Sequence, residues 1–82
     1  MRLDKFLKVS RLIKRRSVAN EISAAGRVQV NGRTAKPGTE VKPGDILEIG
    51  FGTGISRVRI LAVKDNVRKE EAEQLYEILT EV

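Results

Sequence analysis

Ala25-Gly26-Arg27-Val28-Gln29-Val30-Asn31-Gly32-Arg33-Thr34-Ala35 packs a helix stop, a short alternating run, a tight turn and a second extended run into eleven residues. Gly26 suits the left-handed position that closes a helix, because it has no Cβ to clash. Asn31-Gly32 between two extended runs predicts a two-residue hairpin, since both central residues of that turn need positive φ. A helix must therefore end near residue 25 and an antiparallel sheet must begin near residue 28. The fold class that follows is α+β.

Upstream, Val18, Ile22 and Ala25 recur at i, i+4 and i+7 and predict a helix over 18–25, with Ser17 as its N-cap. The capping box is incomplete, because Asn20 stands at N3 and the acid, Glu21, comes one later. Leu3, Phe6 and Leu7 predict a shorter amphipathic helix over 3–9, and Arg2, Lys5, Lys8 and Arg11 recur every third residue on its outer side. Asp4 suits the positive end of that helix dipole. Leu12 and Ile13 anchor the turn that follows.

Downstream, Lys36-Pro37-Gly38 breaks the hairpin, and Lys42-Pro43-Gly44-Asp45 has Pro and Gly where a turn wants them. Residues 46–49 and 55–63 read as two more strands, joined across Gly50-Phe51-Gly52-Thr53-Gly54. Ala72, Leu75, Tyr76 and Leu79 form a helical stripe that predicts a helix over 69–80, capped from Asp65-Asn66. The expected architecture is two N-terminal helices on a small, mostly antiparallel sheet (residues 1–66), with a C-terminal helix (67–82) packed on the same domain.

Composition narrows the function. The 82 residues contain no Cys and no His, which removes disulfides, thiolate metal sites and the commonest general base. Asp45 stands alone, without a partner acid or a nucleophile, and its place in a turn accounts for it. Catalysis, a metal and a cofactor are therefore not expected. Gly50 to Gly54 resembles a phosphate loop only superficially, because a strand rather than a helix is expected after it. No apolar run reaches the ~20 residues of a membrane span, and Met1-Arg2-Leu3-Asp4-Lys5 is unlike a signal peptide, so a cytoplasmic location is expected.

Charge is the informative property. Residues 1–36 hold ten of the sixteen Lys and Arg against two acids, a net +8; the remainder holds six bases and nine acids, a net −3. The basic set is Arg2, Lys5, Lys8 and Arg11 on the first helix, Lys14, Arg15 and Arg16 in the connector, and Arg27, Arg33 and Lys36 around the hairpin. An ordinary solvated face would interleave acids; here they are nearly missing, which points to a polyanion, with RNA favoured. Arginine forks bind phosphate oxygens in pairs. Phe6, Phe51 and Tyr76 are the only aromatic residues, too few for a base-stacking platform, so recognition should run through phosphates and shape. Glu70, Glu71, Glu73, Glu77 and Glu81 surround the C-terminal stripe. Two readings of them stay open: a favourable dipole arrangement, or a face that repels RNA or meets a basic protein.

Met1 to Leu7, Arg11 with Arg15-Arg16-Ser17, Ala25-Gly26-Arg27-Val28 with Val30-Asn31-Gly32, and Lys42-Pro43-Gly44-Asp45 together resemble the S-four domain. This RNA-binding module is named after small-subunit ribosomal protein four, and the resemblance spans residues 1–49. It implies the S-four-like (alpha-L) fold and a basic groove in which Arg2, Lys5, Lys8, Arg11, Arg15, Arg16, Arg27 and Arg33 contact RNA. The module also occurs fused to pseudouridine synthase and tyrosyl-tRNA synthetase domains; 82 residues leave no room for those, so a stand-alone member is expected.

Among stand-alone members, Leu12-Ile13-Lys14-Arg15-Arg16-Ser17 and the Lys69-Glu70-Glu71-Ala72 to Leu79 tail are similar to those of bacterial ribosome-associated quality control, which are relatives of the heat-shock S-four proteins. That similarity implies large-subunit rRNA, peptidyl-tRNA and the tRNA-recruiting factor RqcH as partners, no membrane, and a monomer. Ribosome assembly or recycling, a protein adaptor using the acidic helix, and a duplex-DNA regulator remain as rivals; the last lacks an evident base-reading helix.

Overall fold

Leu3, Phe6 and Leu7 all lie on one side of α1 (Leu3–Val9), and each is fully buried, as their spacing predicts. The computed structural model describes residues 1–81, apart from the side chains of Phe51 and Glu81. The second helix, α2 (Arg16–Ala24), begins before Ser17, which lies inside its first turn. Arg15 takes the N-cap position in an extended conformation, with no side-chain cap. Asp4 lies against the side chains of Arg16 and Asn20 in the first two turns of this helix.

The buried side of α2 also differs from the expected one. Ala19 and Ser23 are buried and Ile22 is half-buried, while Val18 and Ala25 are exposed. Small buried side chains suit the close packing of α2 against α1, and the Ser23 hydroxyl is satisfied by donating to the Ala19 carbonyl at 2.8 Å. The helix closes as expected: Gly26 has φ +78°, and the N–H groups of Gly26 and Arg27 donate to Ser23 and Ile22 carbonyls at 3.0 and 3.1 Å. That pair of bonds is the Schellman arrangement.

The predicted hairpin is present as β1 (Val28–Val30) and β2 (Arg33–Thr34), with Asn31 and Gly32 at φ 52° and 82°. Asn31 does more than tolerate the turn. Its amide nitrogen donates to Asp45 at 3.0 Å and its amide oxygen accepts from the Ile46 N–H at 2.9 Å. Asp45 also accepts from the Lys42 N–H at 3.0 Å, so its buried carboxylate joins two turns.

β3 (Ile46–Phe51) and β4 (Gly54–Ile60) are longer and shorter, respectively, than the runs 46–49 and 55–63. The glycine-rich stretch is mostly strand, with Phe51 paired to Gly54 across a tight turn and a strand after it. β4 stops at Ile60 because the chain then meets the C-terminal segment, where the Leu61 N–H donates to the Leu75 carbonyl at 2.8 Å.

The C-terminal helix needs the largest correction. Helix is present only as α3 (Lys69–Ala72), continued by a 3-10 turn (Glu73–Leu75); Tyr76–Glu81 is a strand, β5. Arg68, not Asp65 or Asn66, occupies the N-cap position. Ala72 and Leu75 are buried as the stripe requires, but Tyr76, Ile78 and Thr80 are strand-favouring residues beside the open edge of β4. Pairing with that edge overrides the helical period. Val82 and the side chain of Glu81, both assigned to the expected helix, lie outside the described residues. The result is an antiparallel sheet ordered β2-β1-β3-β4-β5, with the core between it and the helices. Among the described residues, no helix is long and apolar enough to cross a membrane.

Candidate nucleic-acid interface

The start of α1 is pinned by the loop that follows the hairpin. Leu3 and Asp4 N–H groups donate to Thr39 and Pro37 carbonyls at 2.8 and 3.1 Å, and the backbones of Arg2 and Glu40 pair in an isolated antiparallel β-bridge. This fixes Asp4 beneath the surface, where its side chain is 3% exposed. One oxygen, Oδ1, accepts from the Lys5 N–H at 2.8 Å and from Arg2 Nε at 3.2 Å, and lies 3.6 Å from the Arg16 guanidinium. The other, Oδ2, accepts from Arg2 Nη2 at 3.2 Å and Asn20 Nδ2 at 3.3 Å.

Burial pushes the Asp4 carboxyl up, but hydrogen bonds from Asn20 and Arg2, with the charges of Arg16 and Arg2, outweigh it and hold the group below its ordinary value. One carboxylate thus orients two guanidinium groups and neutralises only one of them. The Arg2 and Arg16 side chains remain 52% and 50% exposed, so an oriented positive surface is left facing solvent. Oriented guanidinium groups suit phosphate oxygens.

A second group lies at the other end of α1. Lys8, Arg11, Lys14 and Lys69 line a cleft of about 470 Å³, with Val9, Val67 and Asn66 completing it. None of these cations has a carboxylate within 4.0 Å among the described residues. Lys8 stands six positions on from Arg2, about 9 Å along the helix axis.

The remaining candidates are dispersed. Lys5 binds Asp65 at 2.8 Å, which ties the 65–69 segment to α1 and lowers the Asp65 pKa through that hydrogen bond and charge. Arg15 is exposed at the start of α2, Arg27 at the entry to β1, Arg33 on the edge strand β2, and Lys36 in the loop whose Thr39 hydroxyl accepts the Lys36 N–H at 2.9 Å. The ten predicted cations therefore form two local groups and four separate positions, with Lys5 paired away.

Asp4 and Asn20 as organisers, and Lys69 as a cleft cation, were not legible as such. Asp4 and Asn20 meet only when α1 packs on α2, and Lys69 sits in an acid-rich stretch that masks it. The acidic helical face expected around Glu73 and Glu77 is not formed: Glu77 is on β5, 3.3 Å from Arg59. Arg57 is likewise paired with Glu48 at 3.3 Å.

The S4 domain family model matches residues 1–47. A protein of Halalkalibacterium halodurans named RQC P-site tRNA stabilizing factor is 60% identical over 81 residues, covering 99% of this chain and 92% of that one. Its namesake in Streptococcus pneumoniae is 52% identical with the same coverage. Among solved structures, trimeric Vibrio cholerae Heat Shock Protein 15 superposes with a TM-score of 0.89 at 35% identity, covering 96% of this chain and 81% of that one.

Proposed function

The chain belongs to the S4 domain family, and from that premise we propose that it is a non-catalytic RNA-binding factor that stabilises P-site tRNA on the large ribosomal subunit. Relatives spanning nearly its whole length are named for stabilising P-site tRNA. In this reading the protein does the work of an RqcP-like factor. It acts in the cytoplasm as a monomer, lodges between large-subunit rRNA and peptidyl-tRNA, and with RqcH supports untemplated alanine tailing of a stalled nascent chain.

The observation that carries the reading is Asp4 with its two half-exposed arginines. A buried carboxylate fixes the guanidinium directions before RNA arrives, which reduces the ordering cost of binding. Two fixed forks on adjoining helix ends match phosphates on a folded backbone rather than any base sequence. Arg15, Arg27, Arg33 and Lys36 extend the positive surface, while the Lys8, Arg11 and Lys14 group offers a separate place for a second RNA element. Such a protein bridges rRNA and tRNA without making or breaking a bond.

Gradient sedimentation of lysate containing stalled large subunits tests this. Wild type is expected to co-sediment with the large subunit and tRNA, and an Arg2→Ala/Arg16→Ala variant to stay at the top. Wild type at the top of a gradient that retains stalled subunits contradicts the reading.

A further inference from the structure

The cleft lined by Lys8, Arg11, Lys14 and Lys69 has an apolar side that simple phosphate contact leaves unused. Its volume of about 470 Å³ lies within the roughly 300–1,000 Å³ of sites that enclose small ligands. Val9 and Val67, both half-buried, form apolar wall, and Asn66 adds an amide with both donors and an acceptor. The four cations come from three pieces of chain: the end of α1, the turn after it, and the first residue of α3. The Lys5–Asp65 ion pair holds the last of these pieces against α1.

Arg11 supplies an independent observation. It occupies the position just past the cap of α1 with φ 62°, and its N–H donates to the Lys8 carbonyl at 3.0 Å. Glycine is the usual residue there, because a Cβ is unfavourable in the left-handed region. The backbone motif needs no arginine, yet a guanidinium is held there and lines the cleft. Strain of this kind is concentrated at ligand sites.

Building on the RNA-binding reading above, we propose that this cleft receives a single nucleotide extruded from folded RNA. Its phosphate sits among Lys8, Arg11, Lys14 and Lys69, its base lies on Val9 and Val67, and Asn66 bonds the base edge. A paired nucleotide cannot enter, because its faces are stacked and its edge is already bonded; an extruded one offers both. Apolar contact without an aromatic ring, and an exposed Asn66 amide free to turn either its donor or its acceptor toward the base, predict little preference among the four bases.

The test compares a labelled RNA hairpin carrying one bulged nucleotide with the same hairpin fully paired, by fluorescence anisotropy. Wild type is expected to favour the bulged RNA by about tenfold, the equivalent of one charged hydrogen bond. Arg11→Gly and Lys69→Ala bring that ratio to one, whereas Arg16→Ala weakens both RNAs and leaves the ratio in place. Arg11→Gly relieves the left-handed backbone, so its melting temperature is not lowered and loss of the ratio is not loss of fold.

A wild-type ratio near one, or a ratio that Arg11→Gly leaves intact, overturns the cleft assignment and spares the RNA-binding reading. Free AMP or GMP competing at the concentration of the bulged RNA overturns the assignment to extruded nucleotides in favour of a free-nucleotide site. Wild type that binds neither hairpin contradicts the RNA-binding reading itself, and the assignment with it.

Discussion

Arg2 and Arg16 share one buried carboxylate, whereas Arg57 and Arg59 on the sheet each face a carboxylate of their own, half-buried Glu48 and exposed Glu77. The residue types are the same and the distances are similar, between 3.2 and 3.6 Å. What differs is stoichiometry and burial. At the helix ends one negative charge positions two positive ones, so a directed surplus remains. On the sheet each arginine is matched one to one across the strands, in register with its partner: Glu48 with Arg57, and Arg59 with Glu77. Charge count alone would treat these arginines alike; only the first pair keeps a positive surplus held in a fixed direction.

Removing the buried carboxylate should have the largest effect. Asp4→Ala strips the partners of Arg2, Asn20 and the Lys5 N–H together, and should cost about 2–3 kcal/mol in urea unfolding. That is below the usual range for breaking a buried pair, because both arginines can turn to water. RNA affinity should fall in the same variant even though its net positive charge rises. A gain in affinity would mean that charge, not orientation, governs binding.

Acid titration separates the two regions next. The Asp4 pKa is depressed in the native state, so its contribution to stability is complete above the ordinary carboxylate value of about 3.9 and is lost as pH falls through the lower native value. Wild-type unfolding free energy should therefore decline in that acid window by a component that Asp4→Asn lacks. Identical pH profiles for the two proteins would remove Asp4 from the account.

The smallest effect should come from the sheet. Glu48→Gln or Glu77→Gln breaks an exposed cross-strand pair and should change stability by about 0.5 kcal/mol or less. A loss approaching that of Asp4→Ala would erase the distinction between the regions.

The same contrast explains what could be read from the chain. α1, the Gly26 stop, the Asn31-Gly32 hairpin and the Lys42 to Asp45 turn were legible because each is specified by residues within a few positions. The buried face of α2 was not, since size complementarity with α1 selected Ala19 and Ser23 over the larger Val18. β5 was misread because its apolar spacing suits a helix until β4 offers an unpaired edge. For the candidate site, charge segregation marks the cations to consider, but not how the fold groups them. Asp4 reaches Asn20 and Arg16 across the α1–α2 contact, and Lys69 reaches the cleft from the far end of the chain.

The most direct test of the central claim is the salt dependence of RNA binding by wild type, Arg2→Ala/Arg16→Ala and Arg57→Ala/Arg59→Ala. The account predicts that the logarithmic slope shrinks by about 0.7–0.9 for each of Arg2 and Arg16 removed and stays unchanged when Arg57 and Arg59 are removed. Equal loss of slope in both double variants, or loss only in the sheet variant, would contradict it.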